Sequence, residues 1–141
     1  MEFKLGQYVI GQNDLTYQAG QISEIDESKG ARSGKIYKVG LYWFFEDELV
    51  IDMESIIHTF LKRIGIIELD DGFNFDYKNE IHNLQGLCHT EHFVYLVATN
   101  ESGKVKFINM RRIKQVTAYR VFNHIRNKFQ SNDDWKEINI E

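Results

Sequence analysis

A basic segment in the last third of the sequence has the clearest chemical meaning. Residues 104–128 contain no aspartate or glutamate, whereas residues 1–103 carry eight basic residues against seventeen acidic ones. The formal net charge of the whole chain is only −4, so the charge is strongly polarised along the sequence. The basic residues of the segment are Lys104, Lys106, Arg111, Arg112, Lys114, Arg120, Arg126 and Lys128.

Clustered lysines and arginines gain Coulomb energy from a polyanion and release its counterions, so the segment predicts an anionic partner such as DNA or RNA. The residues predicted to carry that contact are Lys104, Lys106, Arg111, Arg112 and Arg120. They lie along one predicted strand, at its end, and on the helix that follows. Two alternatives stay open: the segment pairs with the acidic residues of its own chain, or with those of a second copy in a homodimer.

Cys88, His89 and His92 form a cluster with the composition of a metal site. Thiolate and imidazole are ligands that zinc prefers, and His82 is the nearest candidate for a fourth ligand. This interpretation makes the protein a small metal-dependent enzyme. In the alternative, Cys88 fills the core as free cysteines commonly do, and the two histidines lie on a loop. We expect no cofactor.

Tyr17 and Trp43 are candidates for an aromatic cage around a cationic side chain. Trp43 lies in an aromatic run, residues 42–45, that three acidic residues follow directly. Ring faces attract a cation, and nearby carboxylates add to that attraction. In the alternative, alternate aromatic residues of the run fill the core and the acids lie in a solvent-exposed turn.

Short strands and one helix are predicted for the first half of the chain. The first fifty residues contain short β-branched and aromatic runs bounded by turn residues, a pattern typical of strands. A helix is predicted from an N-cap at Asp52 to a C-terminal glycine at Gly65. Residues 66–69 then predict a strand, and the polar residues 70–76 predict a turn.

The second half predicts further strands and a second helix. Residues 80–88 favour a strand, and residues 93–99 and 104–110 favour a hairpin. Residues 115–129 predict the second helix by their apolar spacing. Its apolar stripe contains Ala118, Phe122, Ile125 and Phe129, and we expect its opposite face, with Thr117, Arg120, His124 and Lys128, to lie in water.

These elements predict an α+β fold that is β-rich, with one or two small SH3-like barrels and two amphipathic helices. We expect a single compact domain over residues 1–141, with sub-parts at 1–52 and 53–141.

One cysteine excludes an internal disulfide, and the apolar runs are too short to span a membrane. The first residues lack the apolar core of a signal peptide, which favours a cytoplasmic protein.

Two segments resemble known modules. Gly6-Gln7-Tyr8-Val9, residues 17–22 and Tyr37-Lys38-Val39 are similar to strands of a Tudor-type SH3-like barrel over residues 6–50. Residues 81–116 resemble the later part of a WYL domain, with Val94-Tyr95-Leu96 as its characteristic strand and a polar turn ending at Gly103. The second resemblance implies a nucleic-acid or nucleotide-like ligand, with Lys106 and Arg112 where that family places arginines.

Together these observations predict a non-enzymatic binding or regulatory protein that modulates a larger protein or nucleoprotein partner. The isoleucine-, asparagine- and lysine-rich composition favours a phage or mobile-element origin. Two other functions stay open. One is nucleic-acid or nucleotide binding through residues 104–128, and the other is the metal-dependent enzyme.

Overall fold

The computed structural model describes residues 2–27 and 34–136, which divide into two compact units. The first unit ends at Asp52 and the second begins at Met53. Strands and helices in the described residues make an α+β architecture with antiparallel sheets, as the sequence predicted. The single domain over residues 1–141 stays a prediction. Among the described residues, no helix combines the length and the apolar character needed to cross a membrane.

Five short strands make up the sheet of the first unit. They are β1 (Tyr8–Gln12), β2 (Tyr17–Asp26), β3 (Ile36–Val39), β4 (Tyr42–Phe45) and β5 (Leu49–Ile51). Their order in the sheet is β4-β3-β2-β1-β5, and one face buries Phe3, Val9, Ile22, Tyr37, Val39, Phe44 and Leu49. The SH3-like barrel predicted for residues 6–50 is not confirmed, because the described strands form an open sheet with β4 and β5 at its edges.

The second unit combines a second antiparallel sheet with two long helices. Its elements are α1 (Met53–Ile64), β6 (Ile67–Glu68), β7 (Asn74–Tyr77), β8 (Glu80–His89), β9 (Val94–Asn100), β10 (Val105–Asn109), α2 (Gln115–Lys128) and the four-residue α3 (Asp133–Lys136). The sheet order is β10-β9-β8-β6, and β7 pairs with the first half of β8. A 3-10 turn at Met110–Arg112 leads from β10 to α2.

The two predicted helices and the predicted hairpin are confirmed. The first helix ends before Gly65, whose φ of +94° is a backbone conformation that glycine adopts without strain. The apolar stripe predicted for the second helix is buried at Ala118, Phe122 and Ile125. Phe129, which follows α2, packs against Phe60 of α1 with ring centroids 5.7 Å apart.

The predicted turn at residues 70–76 is wrong in its second half, which is strand β7. The aromatic residues Phe73, Phe75 and Tyr77 alternate there with Asn74 and Asp76, and Phe75 is buried. This period of two is the strand signal. It was obscured by the aspartates and asparagine, which also favour turns.

Gly86 is required where β8 changes partners. The register between β8 and β9 shifts between Leu84 and Gly86, and Gly86 also pairs with Glu68 of β6. A side chain at this position would collide with the backbone carbonyl oxygen of Ile67. The close approach of β6 to β8 therefore depends on the missing Cβ atom.

We predict that Gly86→Ala destabilises the second unit by about 1–3 kcal/mol, the usual cost of inserting a methyl group into a packed site. Urea denaturation followed by circular dichroism measures the change. Gly20→Ala is the matched control, because its Cβ would lie 3.5 Å from Val39, an ordinary contact distance. Equal stabilities of Gly86→Ala and the parent would contradict the argument.

Candidate anion-binding groove

A groove of about 900 Å³ lies in the second unit, between the turn that joins β7 to β8 and the beginning of α2. Four basic side chains and one carboxylate line it. The basic residues are Lys78, Arg112, Lys114 and Arg120, and the acid is Asp76. The groove therefore carries a local positive charge in a chain whose net charge is negative.

The turn between β7 and β8 holds Lys78 at the rim of the groove. Tyr77 pairs with Glu80, which leaves two turn residues, Lys78 and Asn79, with φ of +50° and +65°. Positive φ at both residues is the backbone of a type I′ turn, which matches the twist of the strands it connects. Asparagine tolerates this conformation, whereas lysine adopts it only at a cost in backbone energy.

The 3-10 turn and the start of α2 place Arg112 and Lys114. Asn109 Oδ1 accepts a hydrogen bond of 3.0 Å from the backbone N–H of Arg111 at the beginning of the 3-10 turn, and Met110 is buried beneath it. Arg112 and Lys114 are exposed, and neither side chain makes an ion pair or hydrogen bond within the part of the chain that the structure describes. Both charges are available to a ligand.

Arg120 reaches the groove from the second turn of α2. Its guanidinium carbon lies 5.1 Å from the centroid of the Phe73 ring, and Nη2 donates a 3.2 Å hydrogen bond to the carbonyl oxygen of Asn74. These contacts fix the plane of the guanidinium without neutralising its charge. A guanidinium has five N–H donors, so further donors remain for an anion.

Three other basic residues of the 104–128 segment are paired with carboxylates instead. Lys106 Nζ lies 3.8 Å from Glu80 Oε2, and Lys128 Nζ lies 3.1 Å from Asp71 Oδ2. Arg111 Nε lies 3.1 Å from each carboxylate oxygen of Glu54. The Arg111 guanidinium also lies 4.8 Å from the centroid of the Phe93 ring. Internal pairing, the alternative left open by the sequence, therefore holds for these three residues.

Of the five residues predicted to contact an anion, the groove brings together only Arg112 and Arg120. Lys104 is exposed at the turn between β9 and β10, outside the groove lining. The groove adds Lys78, which the charge pattern of the sequence does not indicate because it lies outside the basic segment. The signal that identifies Lys78 is the alternation of residues 73–77 followed by Lys-Asn, a two-residue hairpin turn.

The polar face of α2 does not lie wholly in water, contrary to expectation. Thr117 is buried, and His124 and Lys128 both donate to Asp71 Oδ2, at 2.8 Å and 3.1 Å. The His124 ring also stacks on Phe73 with centroids 4.5 Å apart. These contacts join α2 to the segment that leads into β7, so they help to hold both walls of the groove.

Asp71 is ionised more readily than an ordinary aspartate. Burial acts to raise the pKa of Asp71, but the hydrogen bonds and positive charges of Lys128 and His124 outweigh it and lower the pKa. A lowered folded-state pKa stabilises the fold above the unfolded value of about 3.9, and this contribution is lost as the pH falls further. The clasp of Asp71 with His124 and Lys128 therefore requires an ionised Asp71 and weakens as the pH falls through the lowered pKa of Asp71.

The structure places the three candidate metal ligands, Cys88, His89 and His92, in different surroundings. His89 Nδ1 and His58 Nε2 each donate to the carbonyl oxygen of Thr90, at 3.0 Å and 2.9 Å, so these nitrogens carry hydrogens and offer no lone pair. His92 is exposed, and its Nε2 atom lies 4.0 Å from a carboxylate oxygen of Glu91. Partial burial raises the pKa of the Cys88 thiol, which disfavours the thiolate form that binds a metal. Within residues 2–27 and 34–136, no three histidine, cysteine or acidic side chains form a metal-binding group.

His82, the suggested fourth ligand, belongs to the core of the second unit. Its side chain is fully buried, and its ring stacks on Phe75 with centroids 5.7 Å apart. Nδ1 lies 3.1 Å from the carbonyl oxygen of Glu80 and donates to it. The His82 ring therefore packs against β7 and stabilises the β7–β8 hairpin.

Strand register does not bring Tyr17 and Trp43 together as a cage. Trp43 pairs with Lys38, which in turn pairs with Glu24 on β2. Tyr17 lies seven residues earlier on β2, roughly 23 Å along an extended strand. Both rings are exposed, Tyr17 at 64% and Trp43 at 36%, on separate parts of the sheet.

We predict that Asp71→Asn destabilises the second unit at pH 7 and that the difference from the parent shrinks as the pH falls below about 4. The reason is that protonation removes the same charge from the parent. Thermal unfolding across this pH range measures the difference. Asp14→Asn, an equal change of charge in the first unit, is the control, and parallel pH curves for Asp71→Asn and the parent would contradict the prediction.

Comparison with known proteins finds no significant similarity: no protein-family model matches the sequence, and no curated protein or solved structure matches the chain. The SH3-like and WYL resemblances therefore stay predictions. Functional assignment depends on the geometry and charge of the groove.

Proposed function

We propose that this is a non-enzymatic binding protein whose groove binds the phosphate groups of a nucleic acid. One observation supports this most directly. Lys78, Arg112, Lys114 and Arg120 line a single concavity, and none of them makes an ion pair within the described residues. Lys106, Arg111 and Lys128, in contrast, all have carboxylate partners. Of the described residues of the basic segment, the groove therefore gathers three that make no ion pair, Arg112, Lys114 and Arg120, and adds Lys78, whereas Lys104 lies outside it.

Phosphates suit such a site for two reasons. Guanidinium groups match phosphate oxygens with paired N–H donors, and lysines add compact charges that adjust to the spacing of the backbone. Neutralising several phosphates also releases condensed counterions, a gain that a single carboxylate ligand does not provide. The acidic remainder of the chain repels a polyanion and so directs it to the groove.

The same arrangement suits a regulator of a nucleoprotein. The groove would hold the nucleic acid, while the acidic surface of the chain would face basic protein surfaces of the assembly. We also propose that the first unit is an SH3-like barrel. We further propose that the protein forms a homodimer and is cytoplasmic. Five short antiparallel strands in one sheet support the barrel proposal.

We predict that the double variant Arg112→Gln with Lys114→Gln weakens binding to a fluorescein-labelled 12-nucleotide DNA single strand. It should also flatten the plot of log K against log salt by about 1.4, since each neutralised charge contributes about 0.7 on single strands. Both side chains are exposed, so the fold should be retained. Fluorescence anisotropy at several salt concentrations measures both quantities.

The control is Lys4→Gln with Lys62→Gln, which removes the same charge from exposed positions outside the groove. If both double variants bind equally, only the net charge matters and the groove is not the site. If the parent binds no DNA or RNA at low salt, the nucleic-acid proposal is wrong and a protein partner becomes the better hypothesis.

We predict that Lys78→Asn changes stability and binding in opposite directions. Asparagine suits the positive φ of +50° better than lysine does, so stability should rise by up to about 1 kcal/mol. The groove loses one charge, so DNA affinity should fall and the salt slope should flatten by about 0.7. Urea denaturation and anisotropy measure the two effects, and a variant that loses both stability and affinity would contradict this account of the turn.

A further inference from the structure

Among the described residues, one aromatic ring lines the groove: Tyr77, at the end of β7 beside the four basic residues. We infer that the groove takes a single-stranded segment and that one unpaired base stacks on Tyr77 while neighbouring phosphates contact the basic side chains. This inference rests on the nucleic-acid function proposed above and specifies which form of nucleic acid is bound.

Tyr77 is held in place before any ligand arrives. Its ring meets the ring of His82 edge to face, with centroids 5.7 Å apart and planes at 75°. His82 is itself fully buried and stacked on Phe75, so the support is rigid. A ring that is already fixed loses little conformational entropy when a base stacks on it.

Charges lie around the ring on both walls of the groove. The Lys78 ammonium lies over the Tyr77 ring, 5.4 Å from its centroid, so a base that stacks on this face displaces the ammonium toward a flanking phosphate. Arg112 and Lys114 line the groove from the side of α2. A base on the ring would therefore have cations near its flanking phosphates. This combination of a stacking surface with a positive groove is the usual means of binding single strands without sequence preference.

The groove's volume fits a short unpaired segment, and the Tyr77 ring favours that segment over a duplex. A volume of about 900 Å³ falls in the range of pockets that enclose small organic ligands, which fits a few nucleotides. In a duplex the base faces are covered by neighbouring bases, so Tyr77 has nothing to stack on. Asp76 is the one carboxylate among the described residues that line the groove, and its charge disfavours a phosphate next to it.

Tyr77→Leu and Tyr77→Phe test the inference with three probes: a labelled 12-nucleotide thymidine strand, a labelled 12-base-pair duplex and inorganic polyphosphate as competitor. The parent should prefer the single strand over the duplex. Tyr77→Leu should weaken single-strand binding about five- to 150-fold, as expected from stacking of one base, with an unchanged salt slope. Its affinity for polyphosphate, which has charges but no bases, should stay the same.

Tyr77→Phe keeps the ring and should bind within about twofold of the parent, which separates stacking from any loss of packing on His82. Unchanged single-strand affinity in Tyr77→Leu, or duplex binding at least as tight as single-strand binding, would overturn the inference. If the Arg112 and Lys114 double variant still lowers affinity in that case, the proposed function stands and only the stacking fails. If that variant also binds normally, both are wrong.

Discussion

Strand β8 pairs with three other strands, and the second unit depends on this pairing. One edge of β8 follows β9 over most of its length, while the other edge is shared between β7 and β6. The change of partner occurs near Gly86, where a backbone carbonyl approaches too closely for any side chain. Because β8 continues directly from the β7–β8 turn, the position of Lys78 and Tyr77 is set by the same pairing.

The groove is formed where that hairpin meets the start of α2. Two kinds of contact join these walls: the Asp71 clasp with His124 and Lys128, and the packing of Arg120 on Phe73. Three basic residues of the segment, Lys106, Arg111 and Lys128, contribute to structure through pairs with carboxylates. The groove brings Arg112, Lys114 and Arg120 together with Lys78, so positive charge is gathered at one place in a chain whose net charge is negative.

Local periodicity was enough to predict α1, the β9–β10 hairpin and the buried stripe of α2, because each signal lies within some fifteen residues. Pairing of charges was not predictable in this way. Glu54 and Asp71 lie 57 residues before Arg111 and Lys128, so nothing in the local sequence indicates which cations they neutralise. Likewise, Lys78 joins Arg112 and Arg120 only through the strand pairing of β7 with β8. Conversely, Cys88, His89 and His92 are close in sequence but form no metal-binding group among the described residues.

Cys88, the only cysteine of the chain, has a practical consequence. It lies near the far end of β8, eight residues from Glu80 at the groove end, or roughly 26 Å of extended strand. Partial burial and a raised thiol pKa slow its reaction with maleimides at neutral pH, so labelling requires alkaline conditions or long incubation. A dye placed there would lie at a nearly fixed distance from the groove and would serve as a spectroscopic ruler for whatever occupies it.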